Sequence, residues 1–211
     1  MGQNQFFREP TKKRAVAFFD GQNLYHQAKA TFGHKIPNYD PKKLFTAVCN
    51  EKGWLPQSVR FYTGMPKFKE QPKWHKFWRS KLLRMRREGI DVTDPWLHYH
   101  PEKVILRDGT IGTRDKAREK GIDVRLALDM VRLAQRDQYD VAILFSQDQD
   151  LAEAIKDIKE IAREKRRWIK LVCAFPNGPN ASSKRGVDGC DWLRMEEAFY
   201  QNCLDLRDHW R

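Results

Sequence analysis

Residues 141–151 read VAILFSQDQDL, an apolar run followed by two aspartates. A short, continuous apolar run that ends in turn-forming residues is typical of a strand buried on both faces, as in a parallel sheet. The same order occurs near the start of the chain, where AVAFF at 15–19 is followed by Asp20. Residues 59–63 and 168–175 are two further strand candidates of this kind.

Helical patterns lie between these strands. Predicted helices begin after Asp40, cover 72–88 and 124–135, and include an apolar stripe that starts at Leu151. Asp40 is suited to the N-cap of the first of these helices, and Pro41 to its first turn. Strands that alternate with helices predict an α/β fold: a three-layer α/β/α sandwich with a mainly parallel, Rossmann-like central sheet.

The domain organisation is predicted to be simple, because no linker divides the chain. We expect an N-terminal tail over 1–13 and a single domain over 14–211, which ends in a short strand or turn and a closing helix. Between 96 and 114 the alternation is broken by β-prone segments around a tight-turn pair, Asp108 and Gly109. This pattern predicts a small hairpin-like insertion.

Two histidines in this insertion, His98 and His100, would share one face of a strand. A metal pair and an ordinary exposed strand are both consistent with that spacing. Without a further ligand nearby, we do not include them among the site residues.

The chain is strongly basic, with 40 Lys and Arg against 28 Asp and Glu, a formal charge of +12. The segment from Lys67 to Arg87 contains nine basic residues and a single acid, Glu70, so it contributes +8 to the formal charge. Apolar residues at helical spacing predict that 72–88 is a helix with a buried stripe and a basic outer face. A polyanion such as RNA is the natural partner of that face, although a solvated surface helix is the alternative.

A second basic cluster follows at 163–170, where a helix gives way to a strand. The side chains that we expect to contact RNA are Lys73, Lys76, Arg79, Arg84, Arg87, Arg166 and Arg167. Whether the chain forms a homodimer or binds a protein partner stays open.

Membrane insertion and export are not predicted. The sequence has no run of about 18 apolar residues, and residues 1–14 lack the apolar stretch of a secretion signal. We therefore expect a cytoplasmic protein without a membrane partner.

Acidic residues stand just past the ends of two predicted strands: Asp20 after AVAFF, and Asp148 and Asp150 after VAILFSQ. The carboxyl ends of parallel strands are where open α/β sheets form active sites. Asp148 and Asp150 each have a structural alternative, as an N-cap and as a first-turn acid. A third acid at a neighbouring strand end would repel them unless cations fill the space, and oxygen-only ligands favour Mg²⁺ or Mn²⁺ over zinc.

Three other polar residues extend this candidate site. Asp123 opens the helix in KGIDVRLALDM and is either a further metal ligand or an N-cap. Asn23 is placed to orient a ligand, water or phosphate, or to cap a helix. Asp129 shares a stripe with several arginines, so an ion-pair network is the alternative and we rank it second.

Three stretches together resemble the NYN domain, a branch of the PIN-like ribonucleases, and most closely its LabA-like group: FFDGQNLY, KGIDVRLALDM and LFSQDQDL. The likeness covers about 14–192. It implies a metal-dependent ribonuclease with an aspartate cluster that binds Mg²⁺ or Mn²⁺. The family's acids and asparagine fall on Asp20, Asn23, Asp123, Asp129, Asp148 and Asp150.

The resemblance has departures around the acidic pair. The family usually has Gly and Ser beside the first acid and Phe after the second, whereas this chain has Gln147, Gln149 and Leu151. Gln147 would place a side chain where glycine leaves space for a substrate. Substrate preference is therefore expected to differ more than metal binding.

Three functions fit these residues to different degrees. The leading hypothesis is endonucleolytic hydrolysis of RNA by metal ions held by Asp20, Asp123, Asp148 and Asp150. The alternative is a non-catalytic RNA-binding or scaffold subunit that uses only the basic face. A phosphotransfer domain of receiver or haloacid dehalogenase type is the third, but the latter needs a second Asp where Gln22 stands.

Overall fold

The computed structural model describes residues 7–105 and 110–210. Within them the strands are β1 Arg14–Asp20, β2 Leu55–Tyr62, β3 Asp91–Thr93, β4 His98–Ile105, β5 Ile111–Arg118, β6 Val141–Phe145, β7 Lys170–Pro176 and β8 Asp191–Met195. The α-helices in the same residues are α1 Gly21–Phe32, α2 Pro41–Lys52, α3 Pro72–Arg87, α4 Ile122–Gln135, α5 Ala152–Glu164 and α6 Glu197–Gln201. The predicted α/β fold is confirmed.

The central sheet has the order β3-β2-β1-β6-β7-β8, and all neighbouring strands in it are parallel. Helices α1, α2 and α3 pack on one face, and α4 and α5 pack on the other. Successive strands run outward from β1 in one direction and from β6 in the other. The strand order therefore reverses between β1 and β6, and the crevice at their carboxyl ends is where such sheets bind ligands.

Aspartate side chains cap the N-termini of α1 and α2. The Asp40 carboxylate accepts hydrogen bonds from the backbone N–H groups of Lys42 and Lys43, and Pro41 occupies the first turn of α2, as predicted. Asp20 caps α1 in the same manner by accepting from Asn23 N–H at 3.0 Å. None of the helices in the described residues combines the length and the hydrophobicity of a membrane-spanning segment.

The predicted insertion is an antiparallel hairpin of β4 and β5, in which His98 lies opposite Arg118. Both His98 and His100 are exposed. The predicted turn at Asp108 and Gly109 lies outside the described residues, as do residues 1–6 of the predicted tail.

The C-terminal end differs from the expected closing helix. Helix α6 has only five residues, and 202–210 continue mostly in irregular structure. Side-chain hydrogen bonds, and not the packing of a helix, hold this segment in place. Asp205, nearly inaccessible to solvent, accepts hydrogen bonds from Lys81 at 2.9 Å and from Arg207 at 2.6 Å.

The expectation that all nine basic side chains of 67–87 lie on an outer face is wrong for Lys81. Its side chain is 1% exposed, and its ammonium donates to the Tyr39 carbonyl and to Asp205, both at 2.9 Å. Burial alone would raise the pKa of Asp205, but hydrogen bonds from His209 and Arg207 and the charge of Lys81 hold it well below its usual range. Lys81 is therefore a structural residue that fixes the C-terminal segment under α3.

We expect Lys81→Met to lower the free energy of unfolding by about 3–5 kcal/mol, because removing one partner of a buried ion pair leaves the other charge uncompensated. Lys76→Met, an exposed position on the same helix, is the matched control and should stay within about 0.5 kcal/mol of the parent. Urea denaturation of the three proteins measures the difference. Equal stabilities would mean that Asp205 is satisfied without Lys81.

Candidate active site

The acids of β1 and β6 meet at the crevice where the strand order reverses. Asp20 is the last residue of β1, and Ser146 to Asp148 directly follow β6. Helix α1 starts at Gly21, where an added Cβ would lie 2.7 Å from the Phe61 ring and 3.0 Å from the Tyr62 carbonyl oxygen. Only glycine lets the chain turn into α1 this close to β2.

Hydrogen bonds join the two strand ends. The Ser146 hydroxyl donates to Asp20 at 3.3 Å and accepts from the backbone N–H of Asp148 at 3.1 Å. The Asn23 side-chain oxygen accepts from the backbone N–H of Gln147 at 3.0 Å. Asn23 thus holds the loop after β6 against the start of α1, whereas the cap of α1 is Asp20, so the capping alternative for Asn23 is wrong and its role toward a ligand stays a prediction.

The carboxylates at this edge act on one another electrostatically. The pKa of Asp20 is raised to about 6, chiefly by burial and also by the charges of Asp148 and Asp123, although hydrogen bonds from the Asn23 N–H and Ser146 oppose the shift. Burial also raises the pKa of Glu119 to about 7, with added contributions from Asp20 and Asp123. In the described part of the chain, none of these four acids has an ion pair with a basic side chain, so the site concentrates uncompensated negative charge.

Glu119 is a site residue that sequence reasoning missed. It follows β5, and its carboxylate accepts a hydrogen bond from the backbone N–H of Gly64, in the loop after β2. In the sequence it stands between Arg118 and Lys120, a setting typical of an exposed acid. Its burial depends on a contact 55 residues away along the chain, which no local pattern reveals. Ser146 was also missed, although its place between a strand and an aspartate was a usable signal.

Asp150 and Asp129 differ from this group in their exposure and contacts. Asp150 is exposed and contributes its backbone N–H to the Asp148 carboxylate at 3.1 Å. Asp129 is 5% exposed and accepts from the Tyr62 hydroxyl and from Arg125 Nε, both at 3.0 Å. The ion-pair alternative for Asp129 is thus the observed arrangement, in a buried setting.

The two glutamines that depart from the family pattern hold a neighbouring loop. The Gln147 amide donates to the carbonyls of Ser183 and Arg185 at 3.2 and 2.7 Å, and Gln149 donates to Gly186 at 3.0 Å. This loop follows β7 and brings Lys184 and Arg185 to the edge of the sheet that carries the acids. These two basic residues were not singled out from the sequence.

The predicted RNA contacts divide between the two edges of the sheet. Helix α3 starts near the acids and spans about 24 Å over its 16 residues, so Lys73 and Lys76 lie at the near end. Arg79 is exposed midway along α3. Arg84 and Arg87 lie at the far end, where Arg84 pairs with Glu88 at 2.7 Å.

The second basic cluster also lies at the far edge, because Arg166 and Arg167 precede β7. Arg167 donates to Asp137 at 2.6 Å and to the Tyr139 carbonyl at 2.8 Å. Its guanidinium therefore serves the fold. Arg166 is held at a φ of 50°, in the turn between α5 and β7.

The carboxylate side chains at the acidic edge are suited to binding a hard cation. All of their ligating atoms are carboxylate oxygens, which Mg²⁺ and Mn²⁺ prefer. Within the described residues, however, no three acidic, histidine or cysteine side chains are placed to hold one metal ion between them. Mg²⁺ usually keeps several waters and binds one or two carboxylates together with substrate phosphates, so the residues fit an ion bound in that way.

Comparison with known proteins gives a family match for most of the chain. The family model described as NYN domain matches residues 14–188. NYN domains are PIN-like nucleases. A search of curated proteins gave no match.

A solved structure supports the fold. A protein of unknown function from Vibrio parahaemolyticus is similar over 90% of this chain and 97% of its own, with 16% identity and a TM-score of 0.52. MurG from Acinetobacter baumannii aligns with 87% of this chain and 45% of its own, at 10% identity and a TM-score of 0.34. The first similarity concerns the fold alone, and the second is too weak to support an argument.

In metal-free buffer above pH 7 we expect Asp20→Asn to raise the free energy of unfolding by about 1–3 kcal/mol. The amide oxygen still accepts from the Asn23 N–H, the amide NH2 group donates to the Ser146 hydroxyl in place of accepting from it, and one of the repelling charges is removed. Each pKa unit corresponds to about 1.4 kcal/mol. Asp157→Asn, an exposed position on α5, is the control. Urea denaturation measures both, and a destabilised Asp20→Asn would contradict the repulsion.

Proposed function

The chain belongs to the NYN domain family of PIN-like nucleases, and we propose that it is a metal-dependent ribonuclease of the LabA-like branch. The observation that carries the proposal is the group of Asp20, Asp123, Asp148 and Glu119 at the strand-order reversal, with no basic side chain paired to it in the described residues. A bound Mg²⁺ or Mn²⁺ would supply the positive charge that activates water and stabilises the phosphate.

The chain's own residues have distinct roles in this proposal. Asp148 and Asp123 are partly exposed at the sheet edge and present oxygens to an ion shared with the RNA phosphate. Asp20 is more deeply buried, and Ser146 and Asn23 fix its orientation. Asp150 is exposed beside this group, so it would contribute an oxygen only to a metal ion bound on the solvent side of the group.

The exposure and charge of the acidic edge also support internal cleavage of RNA. An open edge with partly exposed acids suits an RNA chain that lies across it, which favours internal cleavage. Lys184 in the loop after β7 supplies positive charge at that edge. We place the activity in the cytoplasm, on RNA.

We expect Asp148→Asn to lower the rate of RNA cleavage by at least about 100-fold, because losing even an outer-shell partner of a metal site costs 10–100-fold. The amide preserves the capping geometry at this position, so the melting temperature should stay near that of the parent. Asp157→Asn, the same change on α5, is the matched control and should cleave normally. The assay uses total cellular RNA with Mg²⁺, Mn²⁺ or EDTA, and full activity of Asp148→Asn or of the parent in EDTA would overturn the metal assignment.

The near and far ends of α3 should differ in RNA binding. Changing Lys73 and Lys76 to Gln should weaken binding and flatten its salt dependence, by about 0.7 in log–log slope for each phosphate of a single strand that is no longer neutralised. Changing Arg84 and Arg87 to Gln removes the same charge at the far end and should have little effect. Affinity is measured across a salt series in the Asp148→Asn background, and an equal weakening in the two double variants would indicate a general charge effect instead of direct binding by Lys73 and Lys76.

A further inference from the structure

A small cavity of about 230 Å³ lies between β2 and α4, on the face of the sheet opposite α3. It is smaller than the pockets of about 300–1,000 Å³ that enclose drug-sized ligands, so it suits a small ion or a single chemical group. Four arginines and one aspartate form most of its lining, and we call it the arginine cavity: Arg60, Arg125, Asp129, Arg132 and Arg136.

The arginines reach this cavity from two elements. Four of the lining residues lie along one face of α4 and its C-cap, because they are spaced by four, three and four residues: Arg125, Asp129, Arg132 and Arg136. Arg60 is two residues before Tyr62 on β2, so both side chains lie on the face of the sheet that α4 covers. The Tyr62 hydroxyl donates to Asp129 at 3.0 Å and so joins the strand to the helix.

Asp129 neutralises only part of the positive charge at the cavity. Its carboxylate accepts from Arg125 Nε at 3.0 Å, whereas Arg132 lies 3.9 Å from it, beyond hydrogen-bond distance. Arg136 has no ion pair or side-chain hydrogen bond in the described part of the chain. The exposed guanidiniums of Arg132 and Arg136 therefore retain N–H donors for a ligand.

Arg60 has a buried donor at the same cavity. Its Nη1 atom pairs with Asp91 on the neighbouring strand at 2.9 Å. Its Nε atom is buried and has no hydrogen-bond partner among the described residues. Burying an N–H without an acceptor is unfavourable, so a ligand oxygen that accepts from Arg60 would stabilise this arrangement.

Phosphate matches these guanidinium groups in geometry and in charge. The planar fork of arginine donates to two phosphate oxygens at once, which the point charge of an ammonium does not do. Four arginines against Asp129 and Asp91 leave a surplus of two positive charges. A phosphate monoester carries about −1.5 to −2 at pH 7, whereas each phosphodiester of an RNA chain carries a single negative charge. The surplus therefore favours a phosphate dianion.

The arginine cavity is separate from the acids. Asp123 and Asp129 are six residues apart on α4, which is about 9 Å along the helix axis. Arg136 is about 20 Å from Asp123 by the same measure. Because a bond from Mg²⁺ to oxygen is only about 2 Å long, an anion in the cavity cannot share a metal ion with Asp123.

We propose that the arginine cavity binds a phosphate dianion, either inorganic phosphate or the terminal phosphate of an RNA. The site is additional to the proposed nuclease centre and does not depend on it. A dianion there would accept from guanidiniums of β2 and α4 together. Its binding would therefore stabilise the folded protein.

Inorganic phosphate is the first probe of this site. It is titrated calorimetrically into the protein in EDTA, with the ionic strength held constant by chloride. We expect Arg132→Gln with Arg136→Gln to bind phosphate at least about tenfold more weakly than the parent, because losing one hydrogen bond to a charged group has about that effect. Lys156→Gln with Arg163→Gln is the matched control, since it removes the same charge from exposed ion pairs on α5, and should bind as the parent does.

A lysine variant keeps this test independent of how the glutamine variant folds. Arg132→Lys with Arg136→Lys retains both charges and loses the forks, so its affinity for phosphate should lie between those of the parent and the glutamine variant. Phosphate should also raise the melting temperature of the parent more than that of the glutamine variant. Equal weakening in the α4 and α5 glutamine variants would indicate a general charge effect and overturn the site.

The second probe distinguishes the two sources of phosphate. Single-stranded RNAs that carry a phosphate at the 5′ end, at the 3′ end or at neither end are titrated into the Asp148→Asn protein, which limits cleavage. If an RNA end is the ligand, one phosphorylated RNA binds more tightly, and Arg132→Gln with Arg136→Gln removes that preference. If inorganic phosphate is the ligand, calorimetry shows its binding and the three RNAs bind alike.

The outcomes separate this site from the ribonuclease proposal. If the parent neither binds phosphate nor prefers an RNA with a terminal phosphate, the site is overturned, whether or not RNA is cleaved. If phosphate does not bind and the α4 glutamine variant weakens the binding of all three RNAs equally, internal phosphodiesters bind there and the dianion assignment is wrong. If phosphate binding depends on the arginines but no RNA is cleaved with any metal, the site stands and the ribonuclease proposal fails.

Discussion

The Phe19 and Phe145 rings stack at the ends of β1 and β6, with centroids 4.0 Å apart and planes within 5°. This contact fixes the register of the two central strands, because Phe19 lies directly opposite Phe145. A slip by one residue would turn every side chain of β1 to the wrong face of the sheet. It would also separate Asp20 from Ser146, so the geometry of the acidic edge depends on the packing of the core beneath it.

Much of this architecture could be predicted from local patterns. The buried strands, the helix over 72–88 and the cap at Asp40 each depend on neighbours within a few residues, and the structure confirms each of them. Asp20 and Asp148 could be found because the ends of parallel strands lie at one edge of the sheet, and Asp123 because it opens a predicted helix.

The residues that escaped prediction depend on distant contacts. Glu119 needs the Gly64 loop, and Lys81 needs Asp205, which lies 124 residues further along the chain. The direction of a helix relative to the sheet decides whether a basic residue lies near the acids or far from them. Periodicity identifies the exposed face of α3, but it does not distinguish Lys73 at one end from Arg87 at the other.

The anchoring of the C-terminal segment has a consequence for how the protein can be shortened or extended. The last described residues, although mostly irregular, contribute Asp205 and His209 to the interior beneath α3. Truncation before Asp205 would leave a buried ammonium facing only the Tyr39 carbonyl among its described hydrogen-bond partners. Asp205 and His209 are thus part of the core, and any truncation or fusion should leave both residues in place.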